Sequence, residues 1–378
     1  MPLGRAAAAA LLSVVTIAQS GCGSATTAPP PTAAPASPPA PPSPHLPSDM
    51  ALGQLFAVSF GGREVTPALR RLIVEDKVGT VLIFPSNFGD VDDLARLVAD
   101  LRALGRQAGL PAPLLVTTDQ EGGSARTVND GIAYLAAPRS LGEEGPPAVR
   151  AATAATARGL HRLGIRLDLA PVADLRTNPR DEAIGDRSFG SDPEVVGPLV
   201  AAAVQGLHDG GVAATIKHFP GLGGAAGDPH HHLPTDPVSA ARWRATQRAS
   251  FLQAIAAGAD AVMTTAVSVP NLDSSGTPAL FSRQVVQGLL REGLDFNGVI
   301  VTDSLSLSGI GESYPLPEAA VAAARAGNDL LLLSNSDPGY EAQAIEAVRV
   351  AVRSGSIPAA QVQRSAARVI SLAERWGH

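Results

Sequence analysis

VAATIKHFPGLGGAAGDPHHHLP, residues 212–234, opens as a strand and closes as a loop. Residues 212–216 form a nearly continuous apolar run, where a strand with one wet face would alternate. The run therefore reads as a strand buried on both faces, as in a parallel sheet. Lys217 and His218 stand together at its C-terminal end. The Gly-rich segment beyond them holds Asp228 and His230 two residues apart. A loop carboxylate that accepts a hydrogen bond from one imidazole nitrogen leaves the other free to trade a proton, and it favours the charged ring. Alone, an Asp-x-His pair is more often a plain surface loop. Its place at the end of a buried strand gives it weight.

Seven more runs of this kind flank the first. The candidate strands are 55–60, 80–84, 114–118, 166–170, 212–216, 261–265, 298–302 and 329–333. Most are bounded by Gly, Pro or Asp. Helix-like segments separate them at 90–105, 147–163, 193–208, 239–257 and 282–292, and the series continues at 317–326 and 341–354. Alternation of this kind predicts a (β/α)8 barrel as a single catalytic domain, with a doubly wound open sheet as the alternative. Barrel active sites form at the C-terminal ends of the strands, so polar residues should gather there. Asp119 follows the third strand, Asp174 the fourth, Lys217 and His218 the fifth, Asp303 the seventh and Asn335 the eighth. Helix capping accounts for one or two such aspartates. It accounts less well for the Lys217–His218 pair, or for DQEGG at 119–123.

The 378 residues are 45% apolar, enough for a sizeable core, and the net charge of −6 offers no electrostatic case for nucleic acid. Arg5 precedes the apolar run 6–17, which suits a signal h-region and is short for a membrane span. Ser20 and Gly21 then lead to Cys22, the only cysteine, whose setting resembles a bacterial lipobox although Gln19 stands where an aliphatic residue is usual. Residues 1–22 are accordingly read as a signal peptide ending at a lipidated Cys22. Residues 23–48, rich in Pro and Ala, are read as an extended tether, and 49–378 as the folded domain. The expectation is an exported protein held at the cell membrane through this anchor, or else secreted, and acting as a monomer. His231 and His232 invite a metal reading, but adjacent loop residues point in different directions and no Cys or carboxylate cluster completes a ligand set. Neither metal nor cofactor is expected.

Read in order, DQEGG (119–123), LAPVAD (169–174), IGDRSFG (184–190), KHFPG (217–221), DPH (228–230) and VTDSLSL (301–307) resemble glycoside hydrolase family 3, in particular its single-domain bacterial β-N-acetylglucosaminidases. The resemblance spans about residues 50–375. Each motif is moderately specific, and the full set in this order is highly so. The resemblance implies that Asp303 is the nucleophile and His230 the general acid/base, oriented by Asp228. It further implies that Asp119, Arg187, Lys217 and His218 hold the sugar. Fixed charged groups suit a polyhydroxylated ligand. For Arg187 an ion pair with Asp174 or Asp186 is the structural alternative. Gly122 and Gly123 are read as turn residues.

Three positions depart from the family pattern. Leu222 stands where KHFPGHG has its second His, Ala266 stands where relatives of VMTTAV place a His, and Leu307 replaces the Met of DxLxM. The first two changes are expected to remove polar groups near the pocket. The function implied is a retaining exo-β-N-acetylglucosaminidase acting on peptidoglycan fragments or related glycans. A β-N-acetylglucosaminide phosphorylase and a catalytically weak glycan-binding lipoprotein are the alternatives.

Overall fold

The computed structural model describes residues 46–378, apart from 312, 335 and 336. The signal segment, Cys22, most of the tether and Asn335 lie outside the described residues. Eight parallel strands form the centre: β1 (Phe56–Val58), β2 (Thr80–Leu82), β3 (Leu115–Thr118), β4 (Leu167–Asp168), β5 (Ala213–Phe219), β6 (Ala261–Thr264), β7 (Val299–Thr302) and β8 (Leu331–Leu333). Each falls on one of the expected runs. They pair in sequence order, and β1 also pairs with β8 in the register Ala57↔Leu332. A parallel bridge between Val301 and Leu330 completes the ring, supported by Thr302 N–H to Leu330 O at 2.9 Å. An open sheet in this order would leave β7 and β8 as edges, and this bridge joins them. The fold is the (β/α)8 barrel.

A helix follows each strand: α1 (Pro67–Val74), α2 (Val91–Gln107), α3 (Pro146–Arg162), α4 (Pro193–Asp209), α5 (Gln247–Ala256), α6 (Gln284–Glu292, π-helical), α7 (Leu316–Ala326) and α8 (Pro338–Arg353). Two of these strand-following helices differ from the sequence reading, which also lacks the C-terminal helix Ala359–Trp376. Helix α1 was not among the segments picked out; it has Pro at its first position and is capped by the Thr66 hydroxyl, which accepts from Leu69 N–H. The segment 239–257 is two helices, Ala240–Ala245 and α5, broken at Thr246. The break has a tertiary cause. Trp243 is buried against Phe219 and donates to Pro220 O at 2.8 Å, while the Gln247 amide bonds both the N–H and the C=O of Leu175.

Period-two alternation divides the strand residues into two apolar layers. Val58, Val81, Ile83, Val116, Ile216, Val262 and Ile300 join the large cluster under the helices. Leu82, Leu115, Leu167, Met263, Val301 and Leu332 gather inside the barrel with Val369, Leu372 and Ala373. Those last three belong to the helix Ala359–Trp376, which therefore closes the barrel floor. Among the described residues no helix is long and apolar enough to cross a membrane. With the floor plugged and the interior filled, the open end is the C-terminal face of the strands.

Candidate active site

Strand β5 delivers Lys217 and His218 to that face, and each finds a carboxylate. Lys217 Nζ lies 2.5 Å from Asp119 Oδ1 and 2.6 Å from Glu121 Oε1. Asp119 directly follows β3, and Glu121 lies in the short hairpin Gln120–Gly122/Ala125–Arg126 beyond it. Arg187 completes the cluster with a two-point contact to Glu121, Nε to Oε2 at 2.6 Å and Nη2 to Oε1 at 2.8 Å. Arg187 thus pairs with Glu121, and not with Asp174 or Asp186, the ion-pair alternative to its sugar-holding role in the sequence reading. Paired N–H donors match a carboxylate better than a single charge does. Burial pushes the Glu121 carboxyl up, but Lys217 and Arg187 outweigh it and hold the group well below the usual carboxylate range. Burial likewise works against the charge on Lys217, and Asp119 and Glu121 more than offset it, raising the pKa. Glu121 is 3% exposed and Asp119 36%, so Asp119 is the carboxylate of this cluster that still meets solvent.

His218 is fixed from behind. Its Nδ1 lies 2.6 Å from Asp174 Oδ2, which also accepts from the His218 amide at 3.0 Å. Asp174 Oδ1 accepts from Leu222 N–H at 2.6 Å. One fully buried carboxylate therefore orients the ring and anchors the start of the Gly-rich loop. The other ring nitrogen, Nε2, faces Arg187 Nη2 at 3.3 Å. A carboxylate accepts and a guanidinium donates, so the partners select a ring that donates from Nδ1 and accepts at Nε2.

Asp303 follows β7 directly. Its Oδ1 accepts from Ser304 N–H at 2.8 Å and its Oδ2 from the Thr265 hydroxyl at 2.7 Å. The next helix, Ser308–Gly311, begins five residues later, so Asp303 is not its N-cap. Asp228 and His230 meet as the spacing predicts, Nδ1 to Oδ1 at 2.6 Å, with the His230 amide donating to the same oxygen at 2.9 Å. Burial pushes the Asp228 carboxyl up, but the His230 amide and ring, with the charges of His230 and His231, hold it below its ordinary value. The His230 side chain is 64% exposed, with its second nitrogen available to a ligand. Bridges from Gly227 to Asp181 and from Ala226 to Thr235 frame the loop. Asp181 is itself the hub of the turn before Arg187, accepting from the amides of Ala183, Ile184 and Gly185. Among the described residues no group of three or more His, Cys, Asp or Glu side chains is placed to hold a metal ion.

Charged and titratable side chains thus gather beyond the C-terminal ends of the barrel strands. The glycosyl hydrolase family 3 N-terminal domain matches residues 48–372, and the chain belongs to that family. It is 33% identical over 302 residues to a beta-hexosaminidase of Xanthomonas oryzae pv. oryzae, covering 78% of this chain and 87% of that one. It is 36% identical over 282 residues to a beta-hexosaminidase of Tolumonas auensis, covering 74% and 82%. Among solved structures, the family 3 beta-N-acetylglucosaminidase of Paenibacillus sp. str. FPU-7 superposes with a TM-score of 0.85 at 37% identity, over 88% of this chain and 63% of that longer one. The beta-N-acetylhexosaminidase of Beutenbergia cavernae gives 0.81 at 32% identity, over 87% and 99%. The protein is a glycoside hydrolase.

All seven candidate site residues lie at this face, in three groups: Asp119, Lys217, Arg187 and His218; Asp303; and Asp228 with His230. Sequence reasoning did not single out Glu121, whose position inside DQEGG was the available signal, or Thr265, for which there was none. Leu222 and Ala266 are both buried within the apolar cluster.

Proposed function

We propose that this glycoside hydrolase is a retaining exo-β-N-acetylglucosaminidase that removes terminal β-linked GlcNAc from peptidoglycan fragments or related glycans at the cell envelope. The Asp228–His230 contact carries the reading. A carboxylate-backed imidazole with one open nitrogen suits proton delivery to the leaving oxygen, and Asp303 supplies a carboxylate at the end of β7, two strands along the barrel. Asp303 attacks the anomeric carbon while His230 protonates the departing oxygen. Water, deprotonated by His230, then releases the sugar with net retention. Asp119, Arg187, Lys217 and His218 hold the ring hydroxyls.

The names of the relatives support GlcNAc as the sugar. The leader-like run before Cys22 supports export and lipid anchoring. The test compares hydrolysis of chromogenic β-GlcNAc and β-glucose substrates by the wild type, Asp303→Asn and His230→Ala. GlcNAc-selective turnover lost in Asp303→Asn and reduced in His230→Ala is the expected result. Wild-type turnover in Asp303→Asn excludes the nucleophile assignment.

A further inference from the structure

We propose that Thr265 is a catalytic residue, whose hydroxyl grips the nucleophilic carboxylate of Asp303 and stabilises the charge that returns to it in the second half of the reaction. The inference rests on the retaining reading above and extends it to a residue outside the roles assigned there.

Thr265 immediately follows β6 and is fully buried. Its Oγ1 lies 2.7 Å from Asp303 Oδ2. Its amide donates to Phe219 O at 3.0 Å, and its carbonyl accepts from Val267 N–H at 3.1 Å and Leu280 N–H at 3.2 Å. A β-branched side chain on a backbone held this way has few rotamers, so the hydroxyl is fixed. The nucleophile is tied to the same strand, because Asp303 N–H donates to Thr264 O at 2.7 Å. Each carboxylate oxygen has one donor, Ser304 N–H on Oδ1 and Thr265 on Oδ2. Among the described residues Thr265 is the only side chain that donates to Asp303. The adjoining Ala266 is fully buried and brings no polar side-chain atom.

The two half-reactions ask opposite things of this hydrogen bond. In the first, an Asp303 oxygen bonds to the anomeric carbon as the bond to the aglycone oxygen breaks. That electron pair leaves with the aglycone, which takes its proton from His230. The carboxylate gives up its charge, and a donor on it opposes the step. In the second, water attacks the anomeric carbon and passes a proton to His230, and the pair of the ester bond returns to Asp303. Charge reappears on the carboxylate, where a donor already in place favours the step. Removing the hydroxyl should therefore spare the first step and slow the second.

The experiment is stopped-flow and steady-state kinetics on an aryl β-N-acetylglucosaminide with an activated nitrophenyl leaving group. For Thr265→Val, kcat should fall about 10- to 100-fold, the range for loss of one hydrogen bond to a charged group. KM should fall in parallel, kcat/KM should change little, and a burst of about one equivalent of nitrophenolate should appear. Thr265→Ser should restore most of the lost kcat and suppress the burst. If Thr265→Val does not fold, Thr265→Ala set against Thr265→Ser gives the same comparison. An equal loss in kcat and kcat/KM without a burst, or wild-type kcat, overturns the proposal while the functional reading stands. A folded wild type without turnover overturns the functional reading and this inference with it.

Discussion

The amide of Gly309 donates to the carbonyl of Pro229 over 3.0 Å, so the turn behind Asp303 carries the loop that presents His230. The acid/base and the nucleophile share a support at this one backbone contact. A Cβ on residue 309 would stand 2.6 Å from Pro229 O and 2.7 Å from the His232 carbonyl carbon, both backbone atoms that cannot rotate away. Gly309→Ala should push the loop outward. Misplacement of about an ångström costs on the order of 100-fold in rate. The loss in kcat/KM should be large for alkyl or sugar leaving groups, which need the proton, and small for dinitrophenyl, which does not. An equal loss on both kinds of substrate would show that the turn does not act through His230.

Glu121 neutralises two cations at once, the buried Lys217 and the partly buried Arg187. Glu121→Gln keeps the shape and leaves Lys217 and Arg187 with a neutral partner. Breaking a buried ion pair from one side costs about 3–5 kcal/mol. Denaturant unfolding should register a loss of that order, and KM for the aryl glycoside should rise because both cations lose their fixed positions. Unchanged stability would mean that the pair relaxes onto Asp119 or solvent.

Asp168 ends β4 beneath the same cluster, with Oδ1 accepting from Gln120 N–H at 2.9 Å. Burial pushes its pKa up to about 8, against the hydrogen bond from Gln120. Below the ordinary aspartate range both the folded and unfolded chains hold the proton. From there to about pH 8 the unfolded chain releases it and the folded chain keeps it, so stability falls as pH rises, and the fall ends once the folded form ionises. Asp168→Asn retains an acceptor for Gln120 and removes the titration. Its stability relative to wild type should climb between pH 5 and pH 8 in paired urea titrations. A constant difference across that range would show that Asp168 is ionised in the folded protein.

Leu222 and Ala266 stand where the family pattern of the sequence reading has histidines, and the structure gives these positions an apolar setting. Leu222 is 2% exposed and Ala266 is fully buried. Leu222→His should cost about 1–3 kcal/mol, the usual penalty for an uncompensated buried polar group, and Ala266→His a similar amount through overpacking. Neither should raise turnover. A gain in kcat in either variant would instead identify a lost catalytic contact.

The barrel was legible because its strands are buried on both faces, so each reads as an apolar run with a polar residue at its end. Asp303, Lys217 and His218 were visible for the same reason. Asp228 and His230 were visible because their contact is local, two residues apart. Tertiary relations were less so. Arg187 finds Glu121 across 66 positions of the chain, and Thr265 finds Asp303 across 38, and neither spacing leaves a periodic trace. The break at Thr246 leaves no local mark because its cause, the grip of Trp243 and Gln247 on distant backbone, is also nonlocal.

The pairing of Phe56 with Leu331 joins the first strand to the last. A ribosome releases β1 early and its partner only near the end, and the floor helix Ala359–Trp376 comes later still. Any sheet formed without them would have two naked edges and an unplugged base, which is the geometry that recruits strands from other chains. Holding such a chain apart from its neighbours until synthesis finishes is work for a chaperone. A premature stop before Trp376 should therefore yield aggregate rather than a shorter enzyme.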